Sequence, residues 1–261
     1  MHFLFPNDTF SPRAPDDAFR AQADALAARG HGVSLISLEE LQAGRARVRG
    51  ALQAGTPVAY RGWMLNEAEY GRLVEAVREL GAEPLTPLDT YLGCHHLPRW
   101  YPLLHDLTAE TRVYPANADL ETELRSLGWG TVFLKDYVKS LKTSVGSVVS
   151  RPEQVREVLS EMEKYRGEIE GGVCVRRFEA FREGSEVRYF VLNGKAHAAA
   201  GAAPAIVEEC TRRISSPFFS VDIAIREDGV ERVVEIGDGQ VSDLVGWSLD
   251  AFSDLWPPEP A

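Results

Sequence analysis

The sequence predicts an α/β lobe followed by an α+β region with antiparallel sheets. In the first third, apolar strand-like runs alternate with amphipathic helical runs, a pattern typical of a parallel sheet. In the last third, β-branched strands follow one another across turns such as Asn193-Gly194 and Asp228-Gly229, which favours antiparallel pairing. A stretch rich in proline, histidine and aromatic residues, residues 83–115, looks like the connection between them. We therefore expect two domains, residues 1–100 and residues 101–261.

The α/β lobe is predicted from three strand-like runs, HFLF, VSLISL and PVAYRG, and two helices. The first helix begins near Asp16 or Asp17 and runs to Arg29. The second starts at a capping box formed by Asn66 and Glu69 and ends near Gly81. The sequence contains neither GxGxxG after the first strand nor GxxxxGK[ST] anywhere, so the usual marks of dinucleotide and P-loop sites are missing.

The α+β region is predicted from local patterns along residues 118–240. Ser150 and Glu153 are expected to cap a helix with one apolar face. The other expected elements, in chain order, are a helix over residues 118–127, the strand TVFLKDYV, the polar loop KSLKTSVG, the short strand SVV, the strands VCVRRF, EVRYFVL and KAHAAA, a helix over residues 204–213, and a final hairpin.

Composition restricts the function classes. The 261 residues include 28 basic and 39 acidic side chains, a net charge of −11, which disfavours nucleic acid and anionic membranes as partners. The three cysteines are widely spaced and form no CxxC pair, which favours reduced, buried thiols. No run of 18 apolar residues occurs, and the first residues lack a signal-peptide pattern. We expect a cytoplasmic protein.

The final hairpin is the most informative segment. A two-residue turn at Asp228-Gly229 would place Arg226 opposite Glu231 and Asp222 opposite Glu235. Two carboxylates side by side are destabilising unless a cation lies between them, and Mg²⁺ commonly binds through one or two carboxylates plus substrate phosphates. The alternative is that both carboxylates are hydrated or paired with arginines such as Arg213.

Basic side chains upstream suggest a phosphate site. Lys135 ends an apolar strand, and Lys139 and Lys142 follow in a loop of serine, threonine and glycine. The alternative is three solvated surface lysines. Arg188 lies on a predicted strand and is suited to neutralise charge on a transferred phosphoryl group, or else to pair with Glu186 or Glu179.

Two other patterns are expected to carry no chemistry. His95 and His96 have no third metal ligand at a helical spacing, so a structural role is favoured. The serines lack a G-x-S-x-G elbow, which argues against a hydrolase triad.

The order of these residues resembles the ATP-grasp superfamily of carboxylate–amine ligases across residues 118–256. The runs VFLKDYVKSLK, EVRYFVLNGK, SVDIAI and VVEIGDGQVSDL are similar to a small bacterial and phage-associated clade whose members are predicted amide ligases. The resemblance implies a Rossmann-like pre-ATP-grasp N-terminal lobe followed by an ATP-grasp fold.

The resemblance also implies roles for individual residues. Asp222 and Glu235 match two magnesium ligands; because Gly237 stands where the family often has asparagine, Asp238 is the candidate third ligand. The nucleotide would contact Lys135 at the α- and β-phosphates, the phosphate-covering loop of residues 139–146 with Lys139, Lys142 and Ser144, the adenine hinge of residues 176–181 with Arg177, Phe178 and Glu179, Glu186 near the ribose, and Arg188 at the transferred phosphate.

The implied reaction is ATP- and Mg²⁺-dependent amide or peptide-like bond formation through an acyl phosphate. The expected partners are a small-molecule or peptide carboxylate and an amine, with neither nucleic acid nor membrane. Two alternatives remain, a non-catalytic nucleotide-binding regulatory protein and an adenylate-forming enzyme. The oligomeric state stays open, a homodimer being one option.

Overall fold

The structure is a computed structural model that describes residues 1–138, 146–166 and 169–257. It divides into two units. Unit 1 comprises Met1–Leu92, Val187–Val221 and Gly237–Ala261, and unit 2 comprises Gly93–Glu186 and Asp222–Ile236. The domains expected over residues 1–100 and 101–261 stay a prediction, because compactness alone does not show which segments fold independently.

A five-stranded sheet forms the N-terminal part of unit 1. Its strands are β1 (His2–Pro6), β2 (Gly32–Ile36), β3 (Val48–Arg49), β4 (Pro57–Tyr60) and β5 (Glu83–Pro84). Their order is β3-β2-β1-β4-β5; β1 runs parallel to β2 and β4, β5 runs parallel to β4, and β3 is antiparallel to β2. The parallel pairing predicted from the alternating strand and helix runs is confirmed.

Four helices accompany this sheet: α1 (Asp17–Ala28), α2 (Leu38–Gln42), α3 (Glu67–Glu79) and α4 (Leu88–His95). Asp16 caps α1, accepting from Ala18 N at 2.9 Å. At α3, Asn66 Oδ1 accepts from Glu69 N and Glu69 Oε2 accepts from Asn66 N, so the predicted capping box is confirmed.

Unit 2 contains an antiparallel sheet built from β6 (Thr111–Tyr114), β7 (Val132–Lys135), β8 (Val148–Val149) and β9 (Val173–Arg177). The order is β6-β9-β7-β8, and Lys135 faces Cys174 across β7 and β9. This sheet packs on α6 (Leu120–Leu127) and α7 (Val155–Arg166) through an apolar core that includes Leu124, Leu134 and Val158.

A third sheet has the order β11-β10-β12-β13, with strands β10 (Val187–Leu192), β11 (Lys195–Ala198), β12 (Phe218–Ile225) and β13 (Glu231–Asp238). Leu192 pairs with Lys195 across Asn193-Gly194, whose φ angles of 49° and 74° suit a tight two-residue turn. That predicted turn is confirmed. The remaining helices are α5 (Leu97–Leu104), α8 (Ala205–Arg213) and α9 (Leu249–Ser253), with 3₁₀ turns at Pro152–Gln154 and Gly239–Val241.

The structure corrects three local predictions. Residues 83–115 are not a plain connection, because they contain β5, α4, α5 and β6. Proline is compatible with the start of α5, where the first amides lack helical acceptors in any case. Before α7, Gln154 Oε1 accepts from the amides of Ser150 and Arg151, so Glu153 does not form the predicted cap with Ser150.

The third correction concerns the tip of the β12–β13 hairpin. Gly229 N donates to Arg226 O and Arg226 N donates to Val230 O, each at 2.8 Å, so the loop contains three residues instead of two. Gly229 has a φ of +92°. Arg226 therefore faces Val230 and not Glu231, and its side chain pairs with Asp228 and Glu179.

No helix in the described part of the chain is both long and apolar enough to span a membrane.

Candidate active site

Lys135 occupies the end of β7 in unit 2, and its side chain is only 5% exposed. The strand alternation that buries Leu134 in the core would leave Lys135 on the opposite face of the sheet. There its Nζ donates to Glu235 Oε1 at 3.1 Å. The alternative of a solvated surface lysine is therefore wrong for Lys135.

Glu235 lies on β13 and Asp222 on the neighbouring strand β12, both within unit 2. Asp222 is buried, whereas the side chain of Glu235 is 41% exposed. A half-exposed carboxylate beside a buried ammonium can exchange this partner for a ligand. The pair thus presents one cation and one reachable anion at the same place.

A second cation, Arg176, lies close to Glu235. Its Nη1 donates to Val234 O at 2.8 Å and its Nη2 to Thr108 Oγ1 at 2.6 Å. Burial lowers the pKa of Arg176, and the negative charges of Glu235 and Glu179 partly raise it again. Arg176 therefore adds positive potential near Glu235 while its own donors hold the adjacent strand.

The expected adenine hinge follows β9. Arg177 and Phe178 are exposed, and Phe178 N donates to Thr131 O at 3.2 Å. Glu179 pairs with Arg232 at 3.1 Å and with Arg226 at 3.5 Å. The side chain of Glu179 is thus occupied by arginines, and Glu186 lies exposed directly before β10.

The expected phosphate-covering loop falls largely outside the described residues. Lys139, Lys142 and Ser144 lie within residues 139–145, which the structure does not describe. Their predicted contacts with phosphate stay predictions.

Arg188 lies on β10 within unit 1. Its Nη1 donates to the carbonyl oxygen of Asp243 at 3.0 Å, and its own carbonyl accepts from Trp247 Nε1 at 3.0 Å. The contact with a carbonyl orients the guanidinium without neutralising its charge.

Asp238 also belongs to unit 1, and its surroundings differ from those expected of a metal ligand. It is fully buried, and its Oδ1 accepts from Gln240 N at 3.0 Å and from Gln240 Nε2 at 3.1 Å. Burial raises the pKa of Asp238 to about 7, although the Gln240 hydrogen bonds and the charge of Arg61 oppose that rise. A role as third ligand stays a prediction that this environment does not favour.

Across residues 1–138, 146–166 and 169–257, no three acidic, histidine or cysteine side chains form a group able to hold a metal alone. Two carboxylates are nevertheless sufficient for Mg²⁺ when phosphate oxygens complete its shell, and carboxylate oxygen is a donor that Mg²⁺ prefers. Asp222 and Glu235 fit that requirement by chemistry. His96 instead pairs with Glu170 at 3.2 Å, consistent with the structural role favoured for the histidines.

Two buried residues of unit 1 escaped sequence reasoning. Arg61 and Gln240 hydrogen-bond to backbone groups far away in the chain, including the Gly239 carbonyl and the Tyr60 amide. A lone arginine directly after the apolar run PVAY was the only available signal.

A family model for an ATP-grasp domain, the third family of its clade, matches residues 126–256. No curated protein matches the chain.

Several solved structures share the fold over almost the whole chain. A D-cycloserine synthetase, DcsG, is 13% identical with a TM-score of 0.66, covering 97% of this chain and 98% of its own. A RimK domain ATP-grasp protein from Sphaerobacter thermophilus DSM 20745 is 17% identical with a TM-score of 0.64 and the same coverage. The ATP-grasp ligase PsnB, complexed with its precursor peptide PsnA2 and AMPPNP, is 14% identical with a TM-score of 0.60, covering 97% and 95%. These likenesses support an ATP-grasp fold with antiparallel sheets.

Proposed function

Because the chain belongs to this family of ATP-grasp domains, and thereby to the ATP-dependent carboxylate–amine ligases, we propose that it forms an amide bond through an acyl phosphate. A carboxylate oxygen of one substrate attacks the γ-phosphorus of ATP, and ADP leaves. The amine nitrogen of the second substrate then attacks the acyl carbon, the nitrogen loses a proton, and inorganic phosphate leaves.

The observation that carries this proposal is the ion pair between Lys135 and Glu235. It brings together, from positions a hundred residues apart in the chain, a buried ammonium suited to phosphate oxygens and a reachable carboxylate suited to a cation. An isolated surface pair would not need a lysine that is 5% exposed.

Asp222 and Glu235 would hold Mg²⁺, which when bound neutralises phosphate charge and aligns the phosphates. When nucleotide arrives, Lys135 would turn its ammonium from Glu235 to the phosphate oxygens, freeing the carboxylate. The pair thus keeps both groups compensated while nucleotide is absent, which is less costly than burying the lysine alone.

The other assignments complete the proposal. Arg188 would offset the charge that develops on the transferred phosphoryl group, and Lys139, Lys142 and Ser144 would close over the phosphates. Backbone groups at Arg177, Phe178 and Glu179 would meet adenine, with Glu186 near the ribose. Because Glu179 is paired with two arginines, its backbone is the better candidate for that contact.

The N-terminal sheet of unit 1 supports a Rossmann-like pre-ATP-grasp lobe, because four of its five strands run parallel. The titles of similar structures name a precursor peptide, D-cycloserine and D-alanyl-alanine as associated compounds of those proteins. We propose amino acids or short peptides as the carboxylate and amine substrates here.

The test is product analysis. The protein is incubated with ATP, Mg²⁺ and a panel of amino acids and short peptides, and adenine nucleotides and condensed products are separated by mass. ADP with a product lighter by one water than the two substrates together supports the proposal. AMP with pyrophosphate would indicate an adenylate-forming enzyme, and nucleotide binding without turnover would indicate a regulatory protein.

A further inference from the structure

Arg61, directly after β4 in unit 1, is fully buried and uses its guanidinium to hold backbone. Nη1 donates to the carbonyls of Gly239 at 2.5 Å and Ser242 at 3.1 Å. Nε and Nη2 donate to Gln22 Oε1 at 3.2 Å and 2.9 Å. The guanidinium carbon also lies 4.7 Å from the centre of the Phe252 ring. Burying an arginine is costly, so this arrangement indicates a specific use of its donors.

The segment that Arg61 holds is the segment that contacts Arg188. Residue 242 gives its carbonyl to Arg61, and the next residue, Asp243, gives its carbonyl to Arg188 Nη1 at 3.0 Å. Further along, Trp247 Nε1 donates to the carbonyl of Arg188 at 3.0 Å. Two arginines therefore grip consecutive carbonyls of one short segment.

The charges around Arg61 are balanced within the same unit. Burial lowers the pKa of Arg61 to about 10, while the carboxylates of Asp243 and Asp238 raise it and the charge of Arg188 lowers it. Asp243 thus offers its charge to Arg61 and its carbonyl to Arg188. A shift of Arg61 would disturb both.

We propose that Arg61 is a positioning residue for Arg188, fixing the Gly239 and Ser242 carbonyls so that the Asp243 carbonyl aims the Arg188 guanidinium. This inference rests on the proposed function, in which Arg188 meets the transferred phosphoryl group. The planar guanidinium is suited to the task because one side chain donates in three directions, which a lysine ammonium on a flexible stem cannot reproduce.

The activity test is a double-variant cycle of Arg61→Lys, Arg188→Lys and both together, assayed for ADP release. We expect Arg61→Lys to lower kcat about tenfold or more, because misplacing a catalytic group by about 1 Å can cost about a hundredfold. The KM for ATP should change little. If Arg61 acts through Arg188, the double variant should be about as slow as Arg188→Lys alone. Multiplied single effects would overturn the proposal.

A second readout does not depend on turnover. Amide hydrogen exchange of residues 239–247 should accelerate in Arg61→Lys, because their carbonyl anchors are lost. Arg29→Lys is the matched control, since Arg29 also belongs to unit 1 but pairs with Asp250 and Asp254. Its exchange over residues 239–247 should stay at the wild-type rate.

Gln22→Met keeps the test open should Arg61→Lys fail to fold, because it removes only the acceptor that orients the guanidinium. It should raise exchange over residues 239–247 in the same direction by a smaller factor. Unchanged exchange in both variants would overturn the proposal. If the wild-type protein releases no ADP with any substrate, the proposed function fails, while the exchange data still decide whether Arg61 fixes this segment.

Discussion

Lys135 and Glu235 form an ion pair of 3.1 Å that links β7 to β13 across a hundred residues of sequence. The lysine is buried and the glutamate is half-exposed, so the two partners stand to lose different amounts of solvation if the pair is broken. Lys135 depends on the pair more than Glu235 does. This asymmetry leads to separate expectations for substitutions at the two ends.

Lys135→Met should weaken ATP binding about tenfold or more, because the ammonium available to the phosphates is removed. Stability should fall only modestly, by about 1 kcal/mol, since the remaining Glu235 carboxylate can be hydrated. Calorimetric titration with ATP and Mg²⁺ measures the first effect, and denaturant unfolding measures the second. Lys164→Met is the matched control, because Lys164 also pairs with a glutamate but on an exposed helix face. Equal ATP affinity in Lys135→Met and wild type would rule out the phosphate role.

Glu235→Gln and Asp222→Asn should each raise the Mg²⁺ concentration for half-maximal ADP release by about tenfold or more, because an amide oxygen is a weaker ligand for a hard cation. Both variants should remain folded by circular dichroism. Glu231→Gln changes an exposed carboxylate at the start of the same strand and should keep the wild-type Mg²⁺ requirement. A wild-type requirement in Glu235→Gln would place the metal elsewhere.

Local sequence patterns predicted the elements whose signals are local. The Asn66 capping box and the Asn193-Gly194 turn depend on contacts within a few residues, and both formed as expected. The hairpin tip was harder, because glycine at position 229 suits a two-residue turn and also a three-residue loop ending in a left-handed residue. Nothing within the loop sequence decides between the two.

The candidate site was only partly predictable. The residue types of Lys135, Asp222 and Glu235 suggested phosphate and metal chemistry, but the contact between Lys135 and Glu235 depends on long-range packing. The role of Arg61 could not be read at all, because its partners are backbone carbonyls at residues 239 and 242. Backbone acceptors leave no mark in a sequence.

Asp238→Asn should change the pH dependence of stability. Burial raises the pKa of Asp238 from 3.8 to about 7 in the folded protein. Between these values the folded state holds a proton that the unfolded state has lost, so the free energy of unfolding should fall as pH rises through this window. The slope is at most about 1.4 kcal/mol per pH unit, and the loss is complete above pH 7.

An asparagine at position 238 cannot titrate, and its Oδ1 can still accept from Gln240. The variant should therefore match wild type near pH 4 and exceed it at pH 8 in denaturant unfolding. Asp250→Asn, an exposed carboxylate on α9, should leave the wild-type slope intact. The Mg²⁺ requirement of Asp238→Asn is a further check, because an increase like that of Glu235→Gln would restore Asp238 as a third ligand.

Gly237→Ala should destabilise the protein by about 1 kcal/mol, and Gly237→Asn by more, because the position lacks space. A Cβ there would lie 3.0 Å from both Ser220 Oγ and Ser242 Oγ. These hydroxyls hydrogen-bond to each other at 2.7 Å, and Ser242 Oγ also donates to Asp238 O at 2.8 Å. Moving them aside would weaken those bonds.

The crowding gives a physical reason for glycine where an asparagine ligand is common in the family. The control is Gly93→Ala on α4, where a Cβ meets no atom within 4 Å, and alanine there should be neutral or stabilising. Combining Ser220→Ala with Gly237→Ala should recover part of the loss, since one of the two obstructing hydroxyls is gone. Wild-type stability in Gly237→Ala, measured by denaturant unfolding, would mean that the serines move without cost and that space does not explain the glycine.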